Sequence, residues 1–143
     1  STHSDIPKLI ELLKILFEQE EEFESNPEAQ RKALSKIILD PKIGIILLAK
    51  EDEKVLGMVS LLYTESTALG GRVAILEDMV VSPEARNLGV GSRLLDYAIS
   101  EAKKEECKRI TLLSDVENTK AQSFYQKKGF VKSKMMPMRL LLE

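Results

Sequence analysis

The chain has 143 residues, 43% hydrophobic and 31% charged, enough for one domain with a substantial core and short for two. Its 21 Lys and Arg stand against 23 Asp and Glu, a net charge of −2, so composition offers no general attraction to nucleic-acid phosphates. One cysteine, Cys107, and one histidine, His3, exclude an internal disulfide and a Cys/His zinc site. No stretch reaches the roughly 18 apolar residues of a membrane span, and the first residues lack the charged-then-apolar order of a secretory leader. The expectation is one cytoplasmic domain over 1–143, without a metal, nucleic-acid or membrane partner.

In chain order, Ile6, Leu9, Ile10, Leu13, Leu16 and Phe17 recur at helical spacing and predict a helix over 5–18, capped by Ser4 or Asp5 with Pro7 in its first turn. The acidic residues Glu18, Glu20, Glu21, Glu22 and Glu24 follow; such runs are mostly solvated surface, or else steer a cation to a site. Ser25, Asn26 and Pro27 open a second helix that ends near Asp40-Pro41. Ile43–Lys50, the polar turn Glu51-Asp52-Glu53, and Val55–Thr64 predict a hairpin, and Arg72–Val81 a third strand ended by Ser82-Pro83.

Val90, Leu94, Leu95, Ala98, Ile99 and Ala102 form the apolar face of a helix running to about Lys104. Arg109–Ser114 predicts a strand and Lys120–Lys128 a short helix closed by Gly129. Two apolar runs, Phe130-Val131 and Met136–Leu142, predict closing strands, with Met135, Met136 and Met138 as adaptable core packing or the wall of an acceptor pocket. Cys107 is expected to pack rather than react. The order ααβββαβαββ, without repeats or linkers, reads as a mixed α/β layer structure.

The most informative stretch is Val80-Val81-Ser82-Pro83-Glu84-Ala85-Arg86-Asn87-Leu88-Gly89-Val90-Gly91-Ser92, a strand and loop followed by two glycines opening a helix. Glycines let backbone approach a ligand, the N–H groups of a helix start favour an anion, and Arg86 adds a planar cation. A dinucleotide-binding G-x-G-x-x-G fails at Leu94, and a P-loop fails because no lysine lies between Gly91 and Ser92. A tight strand-to-helix turn with a surface arginine is the plainer alternative.

What remains, Arg86-x-x-Gly89-x-Gly91, resembles the acetyl-CoA signature [QR]-x-x-G-x-[GA] of the GNAT N-acetyltransferase superfamily. Leu76-Glu77-Asp78-Met79-Val80-Val81 resembles that family's central strand. Asn118, Ala121, Phe124, Tyr125, Gly129 and Phe130 resemble its second motif, N-x-x-A-x-x-F-Y-x-x-x-G-F, downstream. The match covers about residues 44–142 in element order, and the family's usual first strand has no counterpart ahead of the first helix.

The resemblance implies a central mixed, mostly antiparallel sheet flanked by helices, with acetyl-CoA as co-substrate. It places the diphosphate on Arg86, Asn87, Leu88, Gly89, Val90, Gly91 and Ser92. The pantetheine arm would run along Met79, Val80 and Val81 like an added strand, with Asn118 on its other side. Tyr125 resembles the family's general acid; a packed aromatic beside Phe124 is its other reading. A backbone N–H near Met79, where family members bulge the strand, would polarise the thioester carbonyl.

Glu77 lies two residues before Met79 and shares its face in a regular strand, where it could accept an amine proton, whereas Asp78 points the other way unless a bulge rotates it. The Leu76-Glu77-Asp78 tripeptide resembles the corresponding strand of the superfamily's polyamine acetyltransferases, which implies Glu77 over Asp78 as base or amine anchor. The acceptor implied is a small amine, such as a polyamine or amino acid. The alternatives are a protein lysine or N-terminal amine, or a non-catalytic acyl-CoA sensor. A homodimer is implied only by resemblance.

Overall fold

The computed structural model describes residues 2–19 and 26–142, with the backbone alone for His3, Glu18 and Gln19. The acidic stretch falls outside this description, since residues 20–24 and the Glu18 side chain are not covered. The chain divides into two compact units, residues 1–113 and 114–143. The first holds helices α1 (Ile6–Gln19) and α2 (Pro27–Leu39), strands β1 (Gly44–Glu51), β2 (Lys54–Ser66) and β3 (Gly71–Val81), helix α3 (Val90–Lys104) and strand β4 (Ile110–Leu112). The second holds helix α4 (Thr119–Gln126). The mixed, mostly antiparallel sheet that the resemblance implies is present: β1, β2 and β3 are antiparallel neighbours, and β4 adds parallel to β3.

The sheet is covered on both faces by the helices whose apolar stripes the sequence displays. Ile6, Leu9, Leu12 and Leu13 of α1 and Leu34 of α2 cluster with Ile46, Val55, Met58 and Val80 on one face. Residues directly opposite in an antiparallel pair share a face, so Met58, Ser60, Val80 and Glu77 belong to this side. On the other face α3 buries Leu94, Leu95, Ala98 and Ala102.

Gly57 sets the approach of α3 to the sheet. A Cβ there would stand 2.9 Å from Leu94 Cδ1 and 3.0 Å from the Val80 carbonyl oxygen, so any side chain would push the helix away from the strand. With cover on both sides, β2 buries an unbroken run from Gly57 to Leu61 rather than alternating. Asp5, just ahead of α1, ties the start of the chain to the sheet: its carboxylate lies 2.7 Å from Lys50 Nζ on β1 and accepts from the Thr2 N–H at 2.9 Å. The Lys50 ammonium holds the Asp5 carboxyl below the usual carboxylate range.

Three expectations change. The strand expected over Arg109–Ser114 has only the three residues of β4, because parallel pairing to Ala74–Leu76 ends there. The two closing strands do not form: among the described residues, those beyond Gly129 belong to no helix or strand. Apolar composition supplies strand propensity but not the ladder partner a strand requires, and Pro137 lacks an N–H to donate. Met135, Met136 and Met138 are accordingly 84%, 81% and 91% exposed and do not pack into a core.

Candidate active site

The glycine turn is built as a strand, a pinned loop and an open helix start. Ser82 N–H donates to the Leu56 carbonyl at 2.7 Å, anchoring the end of β3 to β2. Ser82 Oγ donates to Glu84 Oε1 at 3.2 Å, and Lys54 Nζ lies 2.8 Å from Glu84 Oε2; both bonds hold the Glu84 carboxyl below its usual range, the Lys54 bond more strongly. Arg86 Nε donates to the Val81 carbonyl at 3.4 Å while its side chain remains exposed. Asn87 and Gly89 then turn left-handed, with φ of 67° and 79°.

Gly89 is the N-cap of α3 and offers no side-chain acceptor. The first N–H groups of a helix have no intrahelical partner, so those of Val90, Gly91 and Ser92 need one from outside. Arg86, Asn87, Leu88 and Gly89 are all exposed, and a Cβ at Gly89 would meet nothing within 4 Å. The opening is an exposed concentration of backbone donors at the positive end of a helix dipole, suited to an anion.

Upstream, β3 carries a bulge. Its ladder with β2 runs from Ser60↔Glu77 directly to Met58↔Val80, so Asp78 and Met79 together stand against Val59, and Asp78 has φ of 54°. A bulge shifts the strand's alternation by one residue. Glu77 therefore shares its face with Val80 and not with Met79, which corrects the same-face expectation for a regular strand. Val81 pairs with Gly57 and faces the α3 side. Beyond Leu76, no strand among the described residues pairs with β3 on its β4 side, which leaves an open strand edge leading to the α3 opening.

In the second unit, Asn118 caps α4 by accepting from the Ala121 N–H at 3.1 Å, which leaves its amide nitrogen to donate elsewhere. The Tyr125 ring meets Phe124 edge-on at 5.3 Å and Phe130 at 5.8 Å. Its hydroxyl makes no hydrogen bond among the described residues, and burial raises its pKa, so the phenol stays protonated at neutral pH. Tyr125 is thus packed against two aromatic rings and carries a half-buried phenol that keeps its proton.

The first unit brings Glu77, Asp78, Met79 and the Arg86–Ser92 loop onto one strand–turn–helix. The sequence reading missed two buried polar groups. Among the described residues, Ser60, opposite Glu77, is 1% exposed and its hydroxyl has no hydrogen-bond partner, and Gln30 on α2 is 9% exposed with neither amide atom partnered. For Ser60 the available signal was a polar residue inside the apolar run Met58–Leu62; Gln30, set among Glu28, Arg31 and Lys32, carried none. Among the described residues, no group of three or more His, Cys, Asp and Glu is placed to hold a metal ion, and no helix is long and apolar enough to cross a membrane.

Residues 7–130 match the model of the acetyltransferase (GNAT) family. The chain is 34% identical over 117 residues to the uncharacterized N-acetyltransferase YhfO of Bacillus subtilis strain 168, covering 80% of this chain and 78% of that one. It is 27% identical over 106 residues to the aminoalkylphosphonate N-acetyltransferase of Salmonella typhimurium strain LT2, covering 74% and 68%. A crystal structure described as a probable acetyltransferase superposes with a TM-score of 0.84 at 29% identity, over 100% of this chain and 95% of that one. With the family model spanning most of its length, the chain belongs to the GNAT acetyltransferase family and is an acyltransferase.

Proposed function

We propose that the chain transfers an acetyl group from acetyl-CoA to the primary amine of a small molecule. The observation that carries this reading is one continuous path: a bulged strand with an open edge leads into a helix whose first N–H groups have no side-chain cap. The residues fit the co-substrate. The edge of β3 around Met79–Val81 offers backbone donors and acceptors to an extended amide chain. The Arg86–Ser92 backbone offers N–H groups and a helix dipole to a diphosphate, and the Asn118 amide nitrogen can donate to the amide-bearing arm.

Bound there, acetyl-CoA supplies an activated acetyl thioester. The chain's own groups then divide the work. The Met79 N–H donates to the oxygen on which negative charge develops as the amine adds to the thioester carbonyl. Glu77, exposed on β3, accepts the proton the amine loses, directly or through water. The Tyr125 hydroxyl gives its proton to the sulfur as the carbon–sulfur bond breaks, and its raised pKa keeps that proton available. The bulge supports Glu77 over Asp78 as base, because Asp78 is part of the turn itself, held at φ of 54°. A small-molecule acceptor is supported by the relative named for aminoalkylphosphonates.

The test is release of free thiol from acetyl-CoA against polyamines, amino acids, aminoalkylphosphonates and lysine-containing peptides. Turnover with a small amine is expected; turnover with peptides alone would move the acceptor to protein. Glu77→Gln should raise the acceptor KM or remove the acidic limb of the pH–rate profile, since an amide takes no proton, with acetyl-CoA binding unchanged. An unaltered profile and KM would take the base role away from Glu77.

A further inference from the structure

The buried run of β2 holds one polar side chain. Gly57, Met58, Val59 and Leu61 are apolar, and Ser60 among them is 1% exposed, its hydroxyl without a hydrogen-bond partner among the described residues. A hydroxyl buried without a partner is costly, and an alanine would fill the same position without that cost. Packing therefore does not explain a serine here. A residue that works against its own fold is expected where it serves function.

The place of Ser60 on the sheet supplies the partner. It stands on one cross-strand row between Ile46 of β1 and Glu77 of β3. Residues directly opposite in an antiparallel pair hold their Cβ atoms about 4.5–5.5 Å apart on one face, within reach of a long side chain. The cover of α1 and α2 ends at this row: Ile46 and Ser60 are each 1% exposed, whereas Ile75, on the next rung of the same face, is 37% exposed and Glu77 is itself exposed. Ser60 thus borders the open part of the strand where Glu77 stands. No other ion competes for it there. Helices α1 and α2 present Leu9, Leu13 and Leu34 to the sheet, their charged side chains among the described residues are exposed, and Asp5 and Lys50 are paired with each other at 2.7 Å. Glu77 forms no salt bridge among the described residues.

We propose that Ser60 positions the base. With the acceptor ammonium in place, the Ser60 hydroxyl donates to one oxygen of the Glu77 carboxylate and leaves the other oxygen to the ammonium. One N–H bond of the ammonium breaks, its proton forms an O–H bond on that free oxygen, and the electron pair left on nitrogen is the pair that adds to the thioester carbonyl. An exposed glutamate by itself samples many rotamers, and a donor across the ladder selects those that keep the carboxylate over this row. A hydroxyl bonded to a carboxylate is among the stronger hydrogen bonds, and it also gives the buried hydroxyl the partner it lacks. Ser60 touches Glu77 and not the reacting atoms, so it is a positioning residue. The assignment rests on Glu77 being the base, as in the reading above.

The test compares the wild type, Ser60→Ala, Glu77→Gln and the double variant. Each is measured for kcat/KM with the fastest acceptor of the amine and peptide panel above, for acetyl-CoA affinity by calorimetry and for stability by urea unfolding. Ser60→Ala should lower kcat/KM for the acceptor about ten-fold, with acetyl-CoA affinity unchanged and the unfolding midpoint equal or higher. In the Glu77→Gln background the same change should have no further effect, because two residues that act as a unit are not additive. Wild-type kcat/KM in Ser60→Ala, a full ten-fold loss in both backgrounds, or a lowered unfolding midpoint in Ser60→Ala each overturns the positioning role while Glu77 stands as base. Unchanged turnover in Glu77→Gln, or no turnover by the wild type with any acceptor, overturns the reading beneath it and this assignment together.

Discussion

Helices α3 and α4 begin in opposite ways. At α4 the Asn118 side chain accepts from the Ala121 N–H, and α2 starts alike, with Asn26 accepting from the Ala29 N–H at 3.2 Å. At α3 the N-cap is Gly89, left-handed and without a side-chain acceptor. A capping side chain is worth about 1 kcal/mol over alanine but only a few tenths over glycine, so α3 leaves its first donors open at little cost in stability. The difference teaches where to look for a ligand: donors satisfied within the chain hold a helix in place, and donors left open serve something that arrives. On this reading α3 supplies ground-state binding, and α4 supplies a fixed platform for the group that moves a proton.

The comparison breaks first at Tyr125. Tyr125→Phe should lower kcat about 100-fold with acetyl-CoA affinity retained, because the proton matters as sulfur departs and little before. Steady-state rates with calorimetric affinities check this, and equal turnover would return Tyr125 to packing alone. Gly89→Val should have the opposite signature, weakening coenzyme A binding about ten-fold while the fold persists. The surroundings there are open, and a β-branched residue at φ of 79° costs about 1–2 kcal/mol. Unchanged affinity in a folded Gly89→Val protein would place the diphosphate elsewhere.

The remaining two variants sharpen the contrast. Asn118→Ala should destabilise by about 1 kcal/mol through loss of the cap, measured by denaturant unfolding, with the damage concentrated in hydrogen exchange of α4. Asp5→Asn tests a tie remote from both helix starts. Its folded pKa is lowered, so its contribution is present above the unfolded carboxylate value of about 3.9 and is lost as pH falls through the folded value. The variant should lose about 1 kcal/mol or less at pH 7, since Lys50 is partly exposed. The gap to wild type should close in acid, with catalytic constants unchanged.

How much was legible differs between elements for identifiable reasons. Helices α1, α2 and α3 follow from apolar spacing, caps and Asp40-Pro41, all local, and their ends agree with expectation to within a residue or two. The hairpin of β1 and β2 was legible because its polar turn interrupts two apolar runs. The glycine turn was legible as an exposed helix start with open backbone donors because its chemistry is that of the backbone, which glycine exposes. The closing strands were not: Val131 and Leu140–Leu142 have strand-like composition yet are 77–88% exposed, since pairing depends on an edge elsewhere in the molecule.

The sequence by itself therefore determined the helices, the hairpin, the strand–glycine–helix turn and the two motifs that name the family, because periodicity, capping and glycine conformation act over a few residues. Tertiary structure alone decided three things. It placed Asp78 and Met79 against Val59, turning Glu77 away from the face of Met79. It ended β4 at Leu112, opening the edge of β3. It buried Ser60 and Gln30 without hydrogen-bond partners among the described residues. Each depends on which residues of distant segments come to lie opposite one another, and that pairing is a property of the packed sheet and its helices that no local stretch of chain encodes.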